Sequence, residues 1–463
     1  MKDSKVKRVR QQAMMFGRQF LEDGVGVFER AVGAQVLAAA ISTQQSGCRD
    51  RIYPALDTLR LFVGQILSTD RACQDVVGRR LSERVAQGQS QSALGTSAYC
   101  EARQRLSVAM PQNLSVALSE QLEALAPMAW RWQGRTVKLF DGTTVSMPDT
   151  PSNQRAYPQS RAQKTGVGFP IARIGALIGL ASGAILRYQV SACAGKGSGE
   201  QSILTNLLDH LQPGDVVLAD ALLATWWIVA GSTRRGADVV MAQHGRRITD
   251  FAAGQRLGKD DHIVQWPRPP KPPTMSAQEY ASYPLSLTMR EVKAKGRILV
   301  TTLLDPQSVS RPALSALYKM RWHIEVDFRT IKSTLQMDVL RCKSPSMVEK
   351  EIAVSFLAYN LVRWAMAKAA ALAHVLPRTL SFTGAKRLLN AFVVELRRTA
   401  DNKIHPLIET ILVCIGSLKL RHRPDRIEPR AKKRRPKPLP LLTVPRQIAR
   451  DLILAHRTLN RVA

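Results

Sequence analysis

The chain changes its hydrophobic rhythm near Trp130. From residue 5 to 125, apolar residues recur at three- and four-residue intervals, the spacing of helices with one buried face. "RAVGAQVLAAAIS" (30–42) and "VALSEQLEALAPM" (116–128) are of this kind. Beyond Trp130 the runs shorten. "RTVKLFDG" (135–142), "IARIGALIGL" (171–180) and "AILRYQVSA" (184–192) read as strands. A polar, turn-rich loop separates the first two. "EQSILTNLLDHL" (200–211) reads as a helix, and "PGDVVLAD" (213–220) as a short buried strand behind a Pro-Gly turn. A helix at 222–233 then leads to a strand at "ADVVMAQH" (237–244). The order is strand, strand, strand, helix, strand, which predicts an α/β core. Residues 246–295 break this pattern with "WPRPPKPP" (266–273) and one alternating run, "YPLSLTMREVKA", so an insertion with β content is expected. Core-like texture returns at "RILVTTLLD" (297–305), and long helices follow at 346–373 and 381–400.

"LYKMRWHIEVDFRTIK" (317–332) reads as a helix with two unlike stripes. At ~100° per residue, Leu317, Ile324, Phe328, Ile331 and Leu335 form an apolar stripe. Tyr318, Arg321, Glu325 and Lys332 share an arc of roughly 60° beside it. Asp327 points about 180° from Glu325, so Asp327→Ala is expected to spare whatever Glu325 does. Taken alone, such a helix is an amphipathic surface helix with ordinary ion pairs.

Charge changes the picture. The 463 residues carry 67 Lys and Arg against 36 acids, a formal net charge of +31. A polyanion is the partner that best matches this excess, because each neutralised phosphate releases counterions. "KLRHRPDRIEPRAKKRRPK" (419–437) holds ten Lys or Arg against two acids and reads as a solvated basic arm lying on phosphate. "SQSALGTSAYCEARQRL" (91–106) has the layout of a helix-turn-helix. Cys48, Cys73, Cys100, Cys193, Cys342 and Cys414 include no Cys-x-x-Cys spacing, so neither a zinc site nor a disulfide framework is indicated. The apolar run at 174–186 is too short to cross a bilayer, and that at 352–373 contains Arg363 and Lys368, so no membrane partner is expected.

The acids narrow the chemistry. Asp141 and Asp220 each end a predicted strand. Either alone is an ordinary turn former or helix cap. Together with Glu325 on the later helix, they form the carboxylate set of a ribonuclease-H-like core. Phosphodiester chemistry at neutral pH uses divalent ions, and Mg²⁺ needs only two or three carboxylates. The three are therefore expected to converge within metal-bridging reach.

On these residues the chain resembles the bacterial insertion-sequence transposases of the DDE type, in family four, marked by a Tyr-Arg-Glu-Lys signature. Tyr318, Arg321, Glu325 and Lys332 match that signature at every spacing. "FDGTT" and "PGDVVLAD" resemble the family's first- and second-aspartate motifs, and the resemblance spans about 130 to 440. One departure is that Ala221 and Leu222 follow Asp220, where the family often has Arg and then an aromatic two positions on. The resemblance implies that Asp141, Asp220 and Glu325 hold Mg²⁺, with Mn²⁺ as a substitute, and that Tyr318, Arg321 and Lys332 grip DNA phosphates. It also implies base stacking on a tryptophan, with Trp266 and Trp322 as candidates, although Trp266 could equally pack on its proline run. The implied partners are the inverted-repeat ends of an element, target DNA and a second copy of the chain, in the bacterial cytoplasm at the nucleoid.

The expected organisation is a helical DNA-binding region (1–125), a ribonuclease-H-like core in two parts (126–245 and 296–375), an insertion (246–295), and a helical region with the basic tail (376–463). The expected activity is metal-dependent DNA cleavage followed by joining of the 3′-OH ends to target DNA. A nuclease of the same fold without strand transfer and a non-catalytic DNA-binding protein are the alternatives.

Overall fold

The computed structural model describes residues 52–86, 88, 94–195, 197–398, 401–420 and 441–462. Among these residues, four helices come first: α1 (Ala55–Leu67), α2 (Cys73–Ala86), α3 (Ser97–Arg105) and α4 (Ala109–Ala124). Strand β1 (Val137–Ser146) follows, then the short helix α5 (Pro151–Ala156), β2 (Ile171–Gly179), β3 (Ile185–Ala192), α6 (Glu200–Leu207), β4 (Val216–Ala219), α7 (Trp226–Thr233) and β5 (Asp238–Ala242). The predicted strand, strand, strand, helix, strand order is present.

These five strands form one half of a nine-stranded sheet in the order β3-β2-β1-β4-β5. β1 pairs with β2 antiparallel and with β4 parallel, and β4 pairs with β5 parallel. This is the ribonuclease-H-like core. The insertion does not stand apart from it. β6 (Gln255–Gly258), β7 (Asp261–Pro267) and β8 (Ser286–Ala294), with the short α8 (Ala277–Ala281) between β7 and β8, continue the same sheet through β9 (Arg297–Thr301). β9 pairs antiparallel with β5 on one side and β8 on the other. A buried pair fixes this half: Arg290 donates to both carboxylate oxygens of Asp261, at 2.8 and 2.7 Å.

The remaining helices are α9 (Arg311–Met320), α10 (Trp322–Thr334), α11 (Pro345–Leu372), α12 (Phe382–Arg398), α13 (Asp401–Ser417) and α14 (Arg446–Val462). Apolar side chains fill both faces of the sheet. On one face, Leu139, Val145, Ile174 and Leu218 meet the buried sides of α1, α4, α10 and α11. On the other, Phe140, Val217 and Val239 meet α6 and α7. The alternation along β1 settles which residues face which layer, because successive side chains of a strand point to opposite faces. α11 is buried along most of its length, and Arg363 within it is paired with Asp327. Among the described residues no helix is long and apolar enough to cross a membrane.

Of the segment expected to form a helix-turn-helix, 97–105 is α3, and residues 91–93 lie outside the described residues. So does 421–440, which holds most of the basic arm, and so does the helix-like run at 30–42.

Candidate active site

Asp141 and Asp220 are brought together by strand register. β1 and β4 are neighbours, with Leu139 opposite Leu218. Each aspartate lies two residues further along in the same direction: Asp220 stands just past the end of β4, whereas Asp141, expected to end its strand, sits inside β1, which runs on to Ser146 because β2 pairs with it there, Asp141 opposite Ala176. Asp141 follows the parity of Leu139 and turns toward the layer that contains α10. The Asp220 Oδ1 accepts the Leu222 and Leu223 N–H groups at 3.0 and 3.3 Å, which caps a single helical turn and fixes the carboxylate. Leu222, the second residue after Asp220, is 60% exposed.

The third acid comes from α10. The apolar stripe expected there is buried: Leu317, Ile324, Phe328, Ile331 and Leu335 are all 5% exposed or less. That packing turns Glu325 and Lys332 into the cleft above β1. The run is two helices rather than one, with Arg321 at the junction. The Arg321 N–H donates to Tyr318 and the Ile324 N–H to Arg321, each a three-residue step. A cleft of about 440 Å³ is lined by Asp141, Thr143, Glu325, Arg329, Lys332 and Asp338.

Charged groups crowd this cleft. Burial pushes the Asp141 carboxyl up to about 6, and the nearby Glu200 and Asp220 carboxylates add to the shift. The Gly142 N–H, which Asp141 accepts at 2.8 Å, and Arg321 oppose it. The Arg321 guanidinium donates to Glu325 Oε1 at 2.8 Å and lies 3.6 Å from Asp141 Oδ2. Lys332 reaches Asp338 at 3.6 Å.

The chain has relatives among known proteins. Residues 132–361 match the transposase DDE domain. The chain is 27% identical over 352 residues to the transposase InsG for insertion sequence element IS4 of Escherichia coli strain K12, covering 73% of this chain and 77% of that one. The chain belongs to the insertion-sequence DDE transposases, in family four. It is also 34% identical over 71 residues to the transposase for insertion sequence element IS421 of Escherichia coli, 15% of this chain and 19% of that one. Among solved structures, the cryo-EM structure of the piggyBac transposase synaptic complex with hairpin DNA aligns with a TM-score of 0.43 and 10% identity, over 84% of this chain and 85% of that chain.

In this transposase the three acids do not close into a cage. Among the described residues no three carboxylate, imidazole or thiol side chains lie close enough to hold an ion together. Three carboxylates repel without a cation between them, and here a guanidinium fills the gap between two of them.

The two tryptophans part company. Trp322 is 49% exposed beside Arg321. Trp266 is 1% exposed, and its indole N–H donates to Glu291 at 2.7 Å. The Arg247 guanidinium lies over its ring at 3.5 Å. That ring has no free face, so the stacking role expected of Trp266 is set aside. Packing on the proline run does not account for it either, since its partners are Glu291, Arg247 and α7. Trp266→Ala should destabilise the transposase by ~3–5 kcal/mol, the range for deleting a buried aromatic ring. Trp322→Ala should stay within about 0.5 kcal/mol, as for an exposed side chain. Thermal melting of the two variants checks this, and equal losses would contradict it.

Sequence reading missed Glu200 and Asp338. Glu200 opens α6 and rests against Gly142, where a Cβ would come within 2.3 Å of its Oε1. An acid in the first turn of a helix normally reads as a complement to the helix dipole, which hid its proximity to Asp141. Asp338 reaches the cleft because the chain after α10 runs back beside β1, with Ser146 N–H donating to Asp338 and Leu340 N–H to Ser146. No local pattern announces that return.

Proposed function

We propose that this transposase binds the inverted-repeat ends of its insertion sequence, cleaves DNA by metal-dependent phosphodiester hydrolysis, and joins the 3′-OH ends to target DNA. The observation that supports this reading is that Asp141 and Asp220 lie at matching positions along the parallel pair β1 and β4, close enough for Asp220 to act on the Asp141 carboxyl, with Glu325 lining the cleft beside Asp141 from α10. The donors are carboxylate oxygens, which suit Mg²⁺, with Mn²⁺ as a substitute. Asp141, Asp220 and Glu325 would hold the ions. When bound, these supply an activated attacking oxygen and a stabilised leaving oxygen.

The protein's own part is positioning. Lys332 and Arg329 line the cleft beside Glu325 and bring positive charge to a scissile phosphate. Tyr318 and Arg321 stand at the other end of the same stripe, next to the exposed ring of Trp322, which offers a face for an unstacked base. The basic arm adds sequence-independent affinity through its phosphate contacts. An element has two ends, so two copies of the chain meet in the working complex. α14 leaves Ile448, Leu452, Ile453 and Leu454 about half exposed, apolar surface on which a second copy can close.

The test uses a linear duplex that carries the terminal inverted repeat read from the DNA flanking the gene, with Mg²⁺ and a plasmid target. A nick at the repeat end followed by joined product is the expected result. Nicking without joining would make the protein a nuclease, and binding without nicking would make it a DNA-binding protein.

A further inference from the structure

The Tyr-Arg-Glu-Lys resemblance gives Arg321 a phosphate to hold. In the free chain the same guanidinium holds acids instead. One of its nitrogens donates to Glu325 at 2.8 Å and another lies 3.6 Å from Asp141. Its side chain is 18% exposed, so this is a seated cation and not one waving in solvent. The two carboxylates it bridges are two of the three that would hold a divalent ion.

A divalent ion and this guanidinium cannot share the gap, because like charges a few ångströms apart repel. The acids can still be neutralised by either one. DNA offers the displaced guanidinium a second partner, since Arg pairs with phosphate oxygens as well as with carboxylates. Arg321 also sits at the junction of α9 and α10, one residue from the exposed Trp322 and against a cleft lined by Lys295, Arg297 and Lys319, a route along which a phosphate backbone can approach.

We propose that Arg321 is the exchangeable counter-ion of the site: it neutralises Asp141 and Glu325 in the free chain and transfers to a DNA phosphate when a divalent cation takes its place. The inference rests on the functional reading above. It makes metal and DNA binding cooperative, and such coupling is reciprocal, so each ligand tightens the other by the same factor. It also keeps the cleft from holding a fully assembled metal site before DNA arrives.

Manganese binding to the full chain, followed by the electron paramagnetic resonance signal of free Mn²⁺, tests this without an activity assay. The control is Lys332→Gln, which removes a charge from the same cleft but from beside Asp338 and not from between the acids. Without DNA, Arg321→Gln should bind Mn²⁺ ~10-fold more tightly than the parent, a coupling of ordinary size, and clearly more tightly than Lys332→Gln. Saturating inverted-repeat duplex should tighten Mn²⁺ binding by a similar factor in the parent and hardly at all in Arg321→Gln. Should Arg321→Gln melt below the assay temperature, Arg321→Lys keeps the charge, loses the two-pronged reach and is expected to fall between. An Arg321→Gln affinity no tighter than that of Lys332→Gln, or an equal response to duplex in parent and variant, would overturn the exchange. A parent that nicks the duplex while showing either result leaves the transposase reading intact. A parent that shows the coupling but never nicks leaves the exchange standing and overturns the cleavage reading.

Discussion

Asp141→Asn should slow nicking of the inverted-repeat duplex by ~10³-fold or more, equivalent to about 4 kcal/mol of transition-state stabilisation, while the protein melts no earlier than its parent. The combination is what distinguishes an active-site acid from a structural one. Burial, with Glu200 and Asp220 nearby, pushes the Asp141 carboxyl up from 3.8 to about 6. A carboxyl whose native pKa lies above its unfolded value binds more protons folded than unfolded across that interval. Stability therefore falls as pH rises from about 4 to 6, and the penalty is fully present above 6. Asparagine keeps the shape and removes the charge. At pH 7.5 the variant should match or exceed the parent in Tm, and any advantage should vanish below about pH 4. Loss of nicking together with a clear fall in Tm at neutral pH would instead mean that Asp141 holds the fold together. Strain kept at a working site and compensated elsewhere is a usual trade in enzymes.

Sequence alone went furthest where one periodicity ruled. The core strands carry apolar runs bounded by turns, so strand order is legible and Asp220 ends such a run, but β1 continues past Asp141 to Ser146 because β2 pairs with it there, which the Asp-Gly-Thr-Thr stretch does not signal. Along α10 the 3.6-residue period assigned the buried stripe correctly, because Ile324, Phe328 and Ile331 face the sheet. What the period could not show is what covers the other sides. The stretch was read as one helix, and the junction at Arg321 depends on hydrogen bonds that no residue type signals. The change of composition at 246–295 marks an insertion with β content, and it does not show that the strands of this insertion extend the core sheet. Pairing partners are set by contacts between distant segments, which local composition does not encode. Trp266 is a stacking candidate because it lies in the insertion, but the β7–β8 pairing places Leu287 opposite it and its ring lies under Arg247. Glu200 and Asp338 reach the cleft only once the chain has folded back.

Asp327 shows the same limit most sharply, and its replacement should be the most damaging to stability. The expectation that Asp327→Ala spares what Glu325 does concerns the chemistry alone and leaves the packing of this side of α10 out of account. In the fold Asp327 is fully buried. Arg363 from α11 and Arg378 from the turn at 377–379 both donate to its carboxylate, the latter at 3.0 and 3.2 Å. Tyr359 lies 3.1 Å away, and Arg378 also donates to the Gly179 carbonyl at 2.9 Å, which ties the end of β2 into the same knot. Removing the one acid leaves two buried guanidinium groups without their counter-charge. Breaking a buried pair in this way costs ~3–5 kcal/mol, far more than losing an exposed one. That is a large share of the ~5–15 kcal/mol that holds a typical domain. Asp327→Ala should therefore melt well below the parent, with nicking lost in step with the unfolded fraction. Mn²⁺ affinity, measured at a temperature where the variant remains folded, should be unchanged. Replacing all three together, Asp327→Leu with Arg363→Met and Arg378→Met, removes the stranded charges and should recover much of the lost stability. A Tm for Asp327→Ala within the range of an exposed substitution would show that the two arginines find other partners.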